Sequence, residues 1–350
     1  MIHNVQGDVV QLATPDEGFH GEAELVAREI MTKQTGKWSD FAVLYRTNAQ
    51  SALIERELIK HNVPYSVRGG AAFFARKEIY QMVFFVAAAF CNKIEAIVGY
   101  PRNDAKNMPG FSGIGNLPTL AFGKTTRYLA AANFGKLDLI FKSTVNPDML
   151  KVVREFERSM GDARYRPGIR DLGDMIQNMR AACSTTTEAL EWAFQNVYEA
   201  QIRLDADDDE DAYNNKVTSI TVLMDVAKGY ANPCEFVDFC LGRLLEGTQY
   251  QKGDKNSVQL MTIHASKGLE FANVYVLGVN DRFLPHARGN MDEERRLFYV
   301  AVTRAENHLM LVSPRGLDFY GKELSPSSFL SEILDEDFSY YDLTTVDGCD

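Results

Sequence analysis

The chain has 350 residues, 45% of them hydrophobic and 24% charged, an ordinary globular composition with room for two or three domains and large cores. Its formal net charge of −11 argues against wholesale attraction to nucleic-acid phosphates, which is supplied mainly by Lys and Arg, although a local basic groove or backbone N–H groups can override a global sum. The five cysteines (Cys91, Cys183, Cys234, Cys240 and Cys349) are odd in number and scattered, with no CxxC pair, which argues against a disulfide framework or a zinc site and suits a reducing cytoplasm.

Residues 1 to about 90 alternate strand and helix signals. Residues 8–12 read as a strand and 22–31 as a helix, with Leu25, Val26 and Ile30 on one side. FAVLY at 41–45 is a short apolar run of the kind buried in a parallel sheet. An amphipathic helix is predicted over 51–60, a strand over 64–67, and a turn at Gly69-Gly70. The longest apolar stretch, 79–91, is interrupted by Tyr80 and Gln81; it is too short to span a bilayer and predicts a buried helix. The N-terminus lacks the basic start and apolar core of a signal peptide, so no membrane association is expected.

Residues 92–254 are mostly helical in pattern, with loops at 101–118 and at the acidic run 205–211, where like charges repel and stay solvated. Strand signals return at 258–263 and 274–279, followed by a helix over 291–303 and a final strand over 308–312. The predicted fold class is α/β: a parallel-sheet domain built from 1–91 and 255–350, interrupted by a helical insertion domain over 92–254.

Three stretches carry chemistry. TIHASKGLEF (262–271) places His264, Lys267, Gly268 and Glu270 in one loop between strands, where parallel strand ends meet ligands; a polar surface loop reads the same way. In EERRLFYVAVTRA (293–305), Arg304 closes a helix. It suits either stabilisation of charge on a transferred phosphoryl group or pairing with the helix's negative end. In LYRTNAQS (44–51), Tyr45 and Arg46 leave a buried strand and can offer a flat ring and a charged fork, or simply cap the core and face water.

Taken in order with PYSVRGGAAFFARKEI (64–79), these blocks resemble the second-motor-domain motifs of UvrD/Rep/PcrA-type superfamily-1 DNA helicases. The likeness includes the long insertion between the second and third blocks. It implies a RecA-like motor domain, of the P-loop NTPase type but without the P-loop. It also implies an ATP-dependent 3′-to-5′ DNA helicase, serving DNA repair or replication, of which this chain is the C-terminal half. By the same resemblance Tyr45 stacks on adenine, Glu270 bonds the ribose, and Arg46 and Arg304 converge as catalytic groups on the γ-phosphate. His264 and His286 contact single-stranded DNA, and Gly113 and Gly115 meet phosphates of duplex DNA at a junction.

Gly123-Lys124-Thr125 tempts as a phosphate loop, but the pattern needs glycine where Pro118 stands. The P-loop and the Mg²⁺ ligands for ATP are therefore expected in a missing N-terminal motor domain, so the chain alone is expected not to hydrolyse ATP. An alternative from another class is a non-enzymatic module that binds nucleic acid or a partner protein and keeps the motor fold.

Overall fold

In the computed structural model, which describes residues 11–98, 114, 127–160, 166–250, 256–318, 321–333 and 340–341, the apolar runs do become neighbouring parallel strands. In chain order they are β1 (Gln11–Ala13), β2 (Phe41–Tyr45), β3 (Tyr65–Arg68), β4 (Val258–Thr262), β5 (Phe271–Val276), β6 (Ala305–Val312) and β7 (Tyr340–Tyr341). They form one sheet in the order β3-β4-β2-β5-β6-β1-β7, and every pairing is parallel. The order places β4 and β5, which arrive after the long insertion, on either side of β2. All five residues of β2 are buried, as a strand covered on both faces requires. β5 and β6 each start three residues before the predicted strands, and β7 follows the strand expected to be last; a two-residue strand carries too little alternation to read from sequence.

The helices are α1 (Gly18–Lys33), α2 (Ser51–Lys60), α3 (Lys77–Phe90), α4 (Glu95–Val98), α5 (Arg127–Ser143), α6 (Met149–Ser159), α7 (Arg166–Ala182), α8 (Thr186–Ala193), α9 (Glu199–Ala206), α10 (Glu210–Ala227), α11 (Pro233–Tyr250), α12 (Met291–Val302) and α13 (Ser328–Ile333). The chain divides into a sheet unit, Met1–Phe73 with Tyr250–Asp350, and a helical unit, Phe74–Gln249. It is thus an α/β, RecA-like motor domain interrupted by a mostly helical insertion. The division falls at 73/74 rather than 91/92, because α3 packs on α6, α7, α8 and α10. The apolar run behind it is buried nearly all round, which makes α3 the central helix of the second unit.

In the sheet unit one core lies between the strands and α12 with α13. It holds Ala42 and Leu44 of β2, Met261 of β4, Val274 and Val276 of β5, Leu309 and Leu311 of β6, Leu297, Phe298 and Ala301 of α12, and Phe329 and Leu330 of α13. Within β2 those are alternate residues; Phe41, Val43 and Tyr45 point to the other face by the period of two.

In the helical unit, Arg180 ties down the end of α3. It donates to the Ala89 carbonyl, pairs with Asp148 at 2.7 Å and reaches Asn92 Oδ1 at 3.3 Å. The acidic run is a tight link between α9 and α10, with Asp207 and Asp208 in the left-handed region. Contrary to the expectation from cysteine count and spacing, Cys91 and Cys234 are joined by a disulfide; spacing along the chain says nothing about partners 143 residues apart.

Candidate functional site

A parallel sheet has two chemically distinct edges, and the predicted residues divide between them. At the edge where strands end, β2 delivers Tyr45 and Arg46, and β4 delivers Thr262 to the same level, since Tyr45 and Thr262 are register partners. The Ile263–Ser266 turn follows. It is held by the Ala265 N–H donating to Thr262 Oγ1 at 3.3 Å and by Ser266 Oγ donating to the Ile263 carbonyl at 2.7 Å, and it leaves His264 exposed.

Tyr45 and Arg46 do not share a crevice. Successive residues leave a strand on opposite sides, and Tyr45 is fully enclosed, at 0% exposure. A ring without an exposed face does not stack on a base in this conformation, so the adenine role is corrected.

Arg46 turns to α12. Its Nε–H lies 3.1 Å from both carboxylate oxygens of Glu294 and its Nη2–H donates to Oε1 at 2.8 Å. Glu294 is 3% exposed and also accepts the His286 backbone N–H at 3.0 Å. Burial pushes its carboxyl up, but the Arg46 hydrogen bond, the His286 N–H and their charges outweigh this and hold it below the usual carboxylate range. Gly289 is required at this corner, because a Cβ there would stand 2.6 Å from the Glu294 carboxylate. Below Arg46, Gln50 Oε1 accepts the N–H groups of both Arg46 and Thr47 at 3.0 Å.

His264 feels the same pair: partial burial and the Arg46 charge lower its imidazole pKa, against a smaller opposite pull from Glu294. His264, Arg46, Glu294 and His286 thus form one cluster at this edge. Glu294 escapes a reading by residue type, which makes it a solvated first-turn acid. Helical spacing finds it, because Glu294, Leu297, Phe298 and Ala301 follow the i, i+3, i+4, i+7 pattern of the buried face.

At the opposite edge, where strands begin, stand Glu270 and Arg304. Phe271 and Ala305 are register partners, and the Phe271 N–H donates to the Arg304 carbonyl at 2.9 Å. Arg304 Nη1–H donates to the Leu269 carbonyl at 2.8 Å, Nε–H to Val300 O at 3.0 Å and Nη2–H to Thr303 Oγ1 at 3.0 Å. Three of the five guanidinium N–H donors are thereby used among the described residues, and Nη1 and Nη2 each retain one. Glu270 is exposed beside this knot.

The expected convergence of Arg46 and Arg304 is therefore corrected. Leu44 is level with Val276 and Leu311, and Arg304 precedes the first residue of β6. At about 3.3 Å per residue, the two Cα atoms lie roughly 25 Å apart along the strands, and their guanidinium groups are pinned at opposite ends of α12. Sequence placed both at connections without fixing which end of a strand each connection serves.

Gly113 and Gly115 lie outside the described residues. Among the described residues no cluster of His, Cys, Asp or Glu could hold a metal ion, and no helix is long and apolar enough to cross a membrane.

Residues 3–100 and 124–315 match the family profile described as the UvrD-like helicase C-terminal domain. Among curated proteins the chain is similar to the ATP-dependent DNA helicase PcrA of Bacillus subtilis (strain 168), 29% identical, with 95% of this chain and 45% of the relative covered. It is also similar to the protein of that name from Staphylococcus aureus (strain Mu50), 30% identical over 89% of this chain and 42% of the relative, and to that of Staphylococcus epidermidis, 28% identical with the same coverage. The chain spans less than half the length of these relatives.

Proposed function

The chain belongs to the UvrD-like helicase C-terminal domain family, and from that premise we propose that it is the second motor half of an ATP-dependent 3′-to-5′ DNA helicase acting in the cytoplasm. The observation that carries the reading is the pairing of edges. An exposed Glu270 beside an anchored Arg304 occupies one edge, and an exposed His264 within the Arg46–Glu294–His286 cluster occupies the other.

At the first edge Glu270 accepts a hydrogen bond from a ribose hydroxyl of ATP. The two remaining N–H donors of Arg304 stabilise the charge that develops on the γ-phosphate. The phosphate loop and the Mg²⁺ ligands come from a partner motor domain. At the second edge His264 and His286 bear on single-stranded DNA. Arg46 acts as a positioning residue: it neutralises Glu294, whose other bond holds the His286 loop. Because α12 runs from one edge to the other, a shift at the nucleotide reaches the DNA through a rigid element. The Gly113 and Gly115 backbone is assigned to duplex phosphates at a junction on its sequence alone.

The test is DNA-stimulated ATP hydrolysis by a protein that joins this chain to a P-loop motor half. Arg304→Ala should lower turnover about 10³-fold or more with little change in ATP binding. Glu270→Ala should act mainly on KM. Wild-type turnover in Arg304→Ala would overturn the nucleotide assignment.

A further inference from the structure

The helical unit begins with α3 and ends with α11, and a cysteine stands at the far end of the first and the near end of the second. Cys91 caps α3, its N–H donating to the Ala87 carbonyl at 3.0 Å. Cys234 lies in the first turn of α11, its N–H donating to Asn232 Oδ1 at 2.9 Å. Their Cα atoms are 5.3 Å apart, inside the range of roughly 4.4–6.8 Å that a disulfide spans without backbone movement. Both are half-buried, within reach of a small reagent. Cys183 and Cys240 are buried instead, and burial pushes both thiols up, which leaves them chemically quiet.

We propose that Cys91 and Cys234 form a reversible redox-modification site whose co-reactant is a small-molecule disulfide of the glutathione class. A reducing compartment does not sustain a permanent disulfide, so in the setting proposed above the pair cycles between dithiol and disulfide. The two cysteines play unequal parts. Cys234 stands at the positive end of the α11 dipole, which favours negative charge there even though its own N–H is taken by Asn232 Oδ1 and its sulfur lies 3.5 Å from the Phe90 carbonyl, whereas Cys91 sits at the opposite, carbonyl-bearing end of its helix.

The Cys234 thiolate, its proton given to water, attacks one sulfur of the small disulfide. That S–S bond breaks, one small thiolate leaves and takes a proton from water, and a mixed disulfide remains on Cys234. The Cys91 thiolate, deprotonated by water, then attacks the Cys234 sulfur and expels the second small thiolate, which is protonated in turn. Two protein thiols are oxidised and one small disulfide is reduced to two thiols. The product closes a loop with a sequence separation of 143 residues, tying the helix by which the chain enters the unit to the helix by which it leaves. Closing a long loop restricts the unfolded chain, so the oxidised helical unit resists unfolding more than the reduced one.

The experiment equilibrates the whole 350-residue chain with oxidised glutathione or with dithiothreitol, followed by intact mass, peptide mapping and thermal unfolding. Oxidation should remove two hydrogens, link the peptide of Cys91 to that of Cys234 and raise the unfolding midpoint, all reversed by dithiothreitol. Cys91→Ser should stop at a stable glutathione adduct on Cys234, and Cys234→Ser should form its adduct on Cys91 more slowly. Failure to lose two hydrogens, a link between any other pair, or equal adduct rates at the two single variants would overturn the assignment.

Discussion

Glu294 of α12, buried at 3% exposure, holds Arg46 at the end of β2 through both of its carboxylate oxygens. The Arg46 side chain is 21% exposed, so the pair is sheltered without being sealed. Removing one partner strands a buried charge, which is costly, and removes an anchor of the His286 loop. Arg46→Ala should destabilise the sheet unit by about 2–4 kcal/mol, discounted at the lower end for residual solvent screening. Glu294→Gln keeps an acceptor oxygen and leaves the uncompensated charge on Arg46, whose side chain is 21% exposed and can turn to solvent, so it should cost less. Urea unfolding of the two variants decides it. An Arg46→Ala protein as stable as wild type would mean that Arg46 is not chiefly a positioning residue.

Much of this is legible in the chain and some is not, for identifiable reasons. The apolar FAVLY run and the resumption of strand signals after residue 257 predict β2, β4, β5 and β6 as one interrupted parallel sheet, because burial on both faces leaves an unbroken hydrophobic signature. Spacing fails where chemistry depends on which end of a strand a residue leaves. Arg46 and Arg304 both adjoin strands and both resemble phosphate-seeking arginines, yet one follows β2 and the other precedes β6. Tyr45 fails for a related reason: the last residue of a buried strand is still inside. Cys91 and Cys234 meet only through helix packing, which no local pattern encodes.

Gly278 follows β5 with φ 62°, a left-handed conformation, and a Cβ added there would stand 2.2 Å from Gln50 Nε2. Gln50 cannot retreat freely, because its Oε1 holds the N–H groups of Arg46 and Thr47. Gly278→Ala should therefore cost about 2–3 kcal/mol, part of it backbone strain and part lost anchoring of the β2 terminus. Thermal unfolding gives the total. Faster hydrogen exchange at the Arg46 and Thr47 amides, relative to the rest of β2, should show that the loss reaches this edge. Unchanged exchange there would reduce the effect to local strain.

Glu22 of α1 is a buried carboxyl that accepts the Gly278 N–H at 2.6 Å. Burial raises its pKa from 4.5 to about 8, against a smaller lowering by that hydrogen bond. Below pH 4.5 both folded and unfolded states keep the proton and the group has no effect on stability. As pH rises towards about 8, the unfolded chain releases its proton first, so stability falls across this window and levels off above it. The difference is roughly 3–5 kcal/mol at most. Glu22→Gln keeps a neutral acceptor for Gly278 and should flatten the profile, gaining most over wild type at alkaline pH. Parallel pH profiles for the two proteins would refute the shift.

His264 offers a test of the proposed DNA contact at the strand-end edge that does not depend on ATP. Its imidazole pKa is lowered from 6.5, first by partial burial and then by the Arg46 charge, with Glu294 pulling weakly the other way. Above pH 6.5 it is neutral both in the folded protein and in the unfolded chain, so its contribution to stability is complete there. As pH falls the unfolded chain takes the proton first and stability is lost. Binding works in the opposite sense. A phosphate beside the ring favours the imidazolium, so His264 should take up a proton when single-stranded DNA binds, and binding should tighten as pH falls from about 8 to about 5. A charge gained at one phosphate contact also releases a counterion. The slope of log affinity against log salt should therefore steepen by up to about 0.7 between those two conditions. Glu294 does not follow, because Arg46 keeps it ionised over the same range. Fluorescence anisotropy with a labelled oligothymidine, in salt titrations at both pH values, measures this, with circular dichroism confirming the folded state. His264→Gln keeps a neutral donor and acceptor but cannot gain the charge, so it should bind near wild type at the higher pH and lose the His264 share of the pH-dependent slope, leaving only what His286 supplies. If the variant retains the full slope change, the proton is taken up elsewhere and His264 is not at the phosphate.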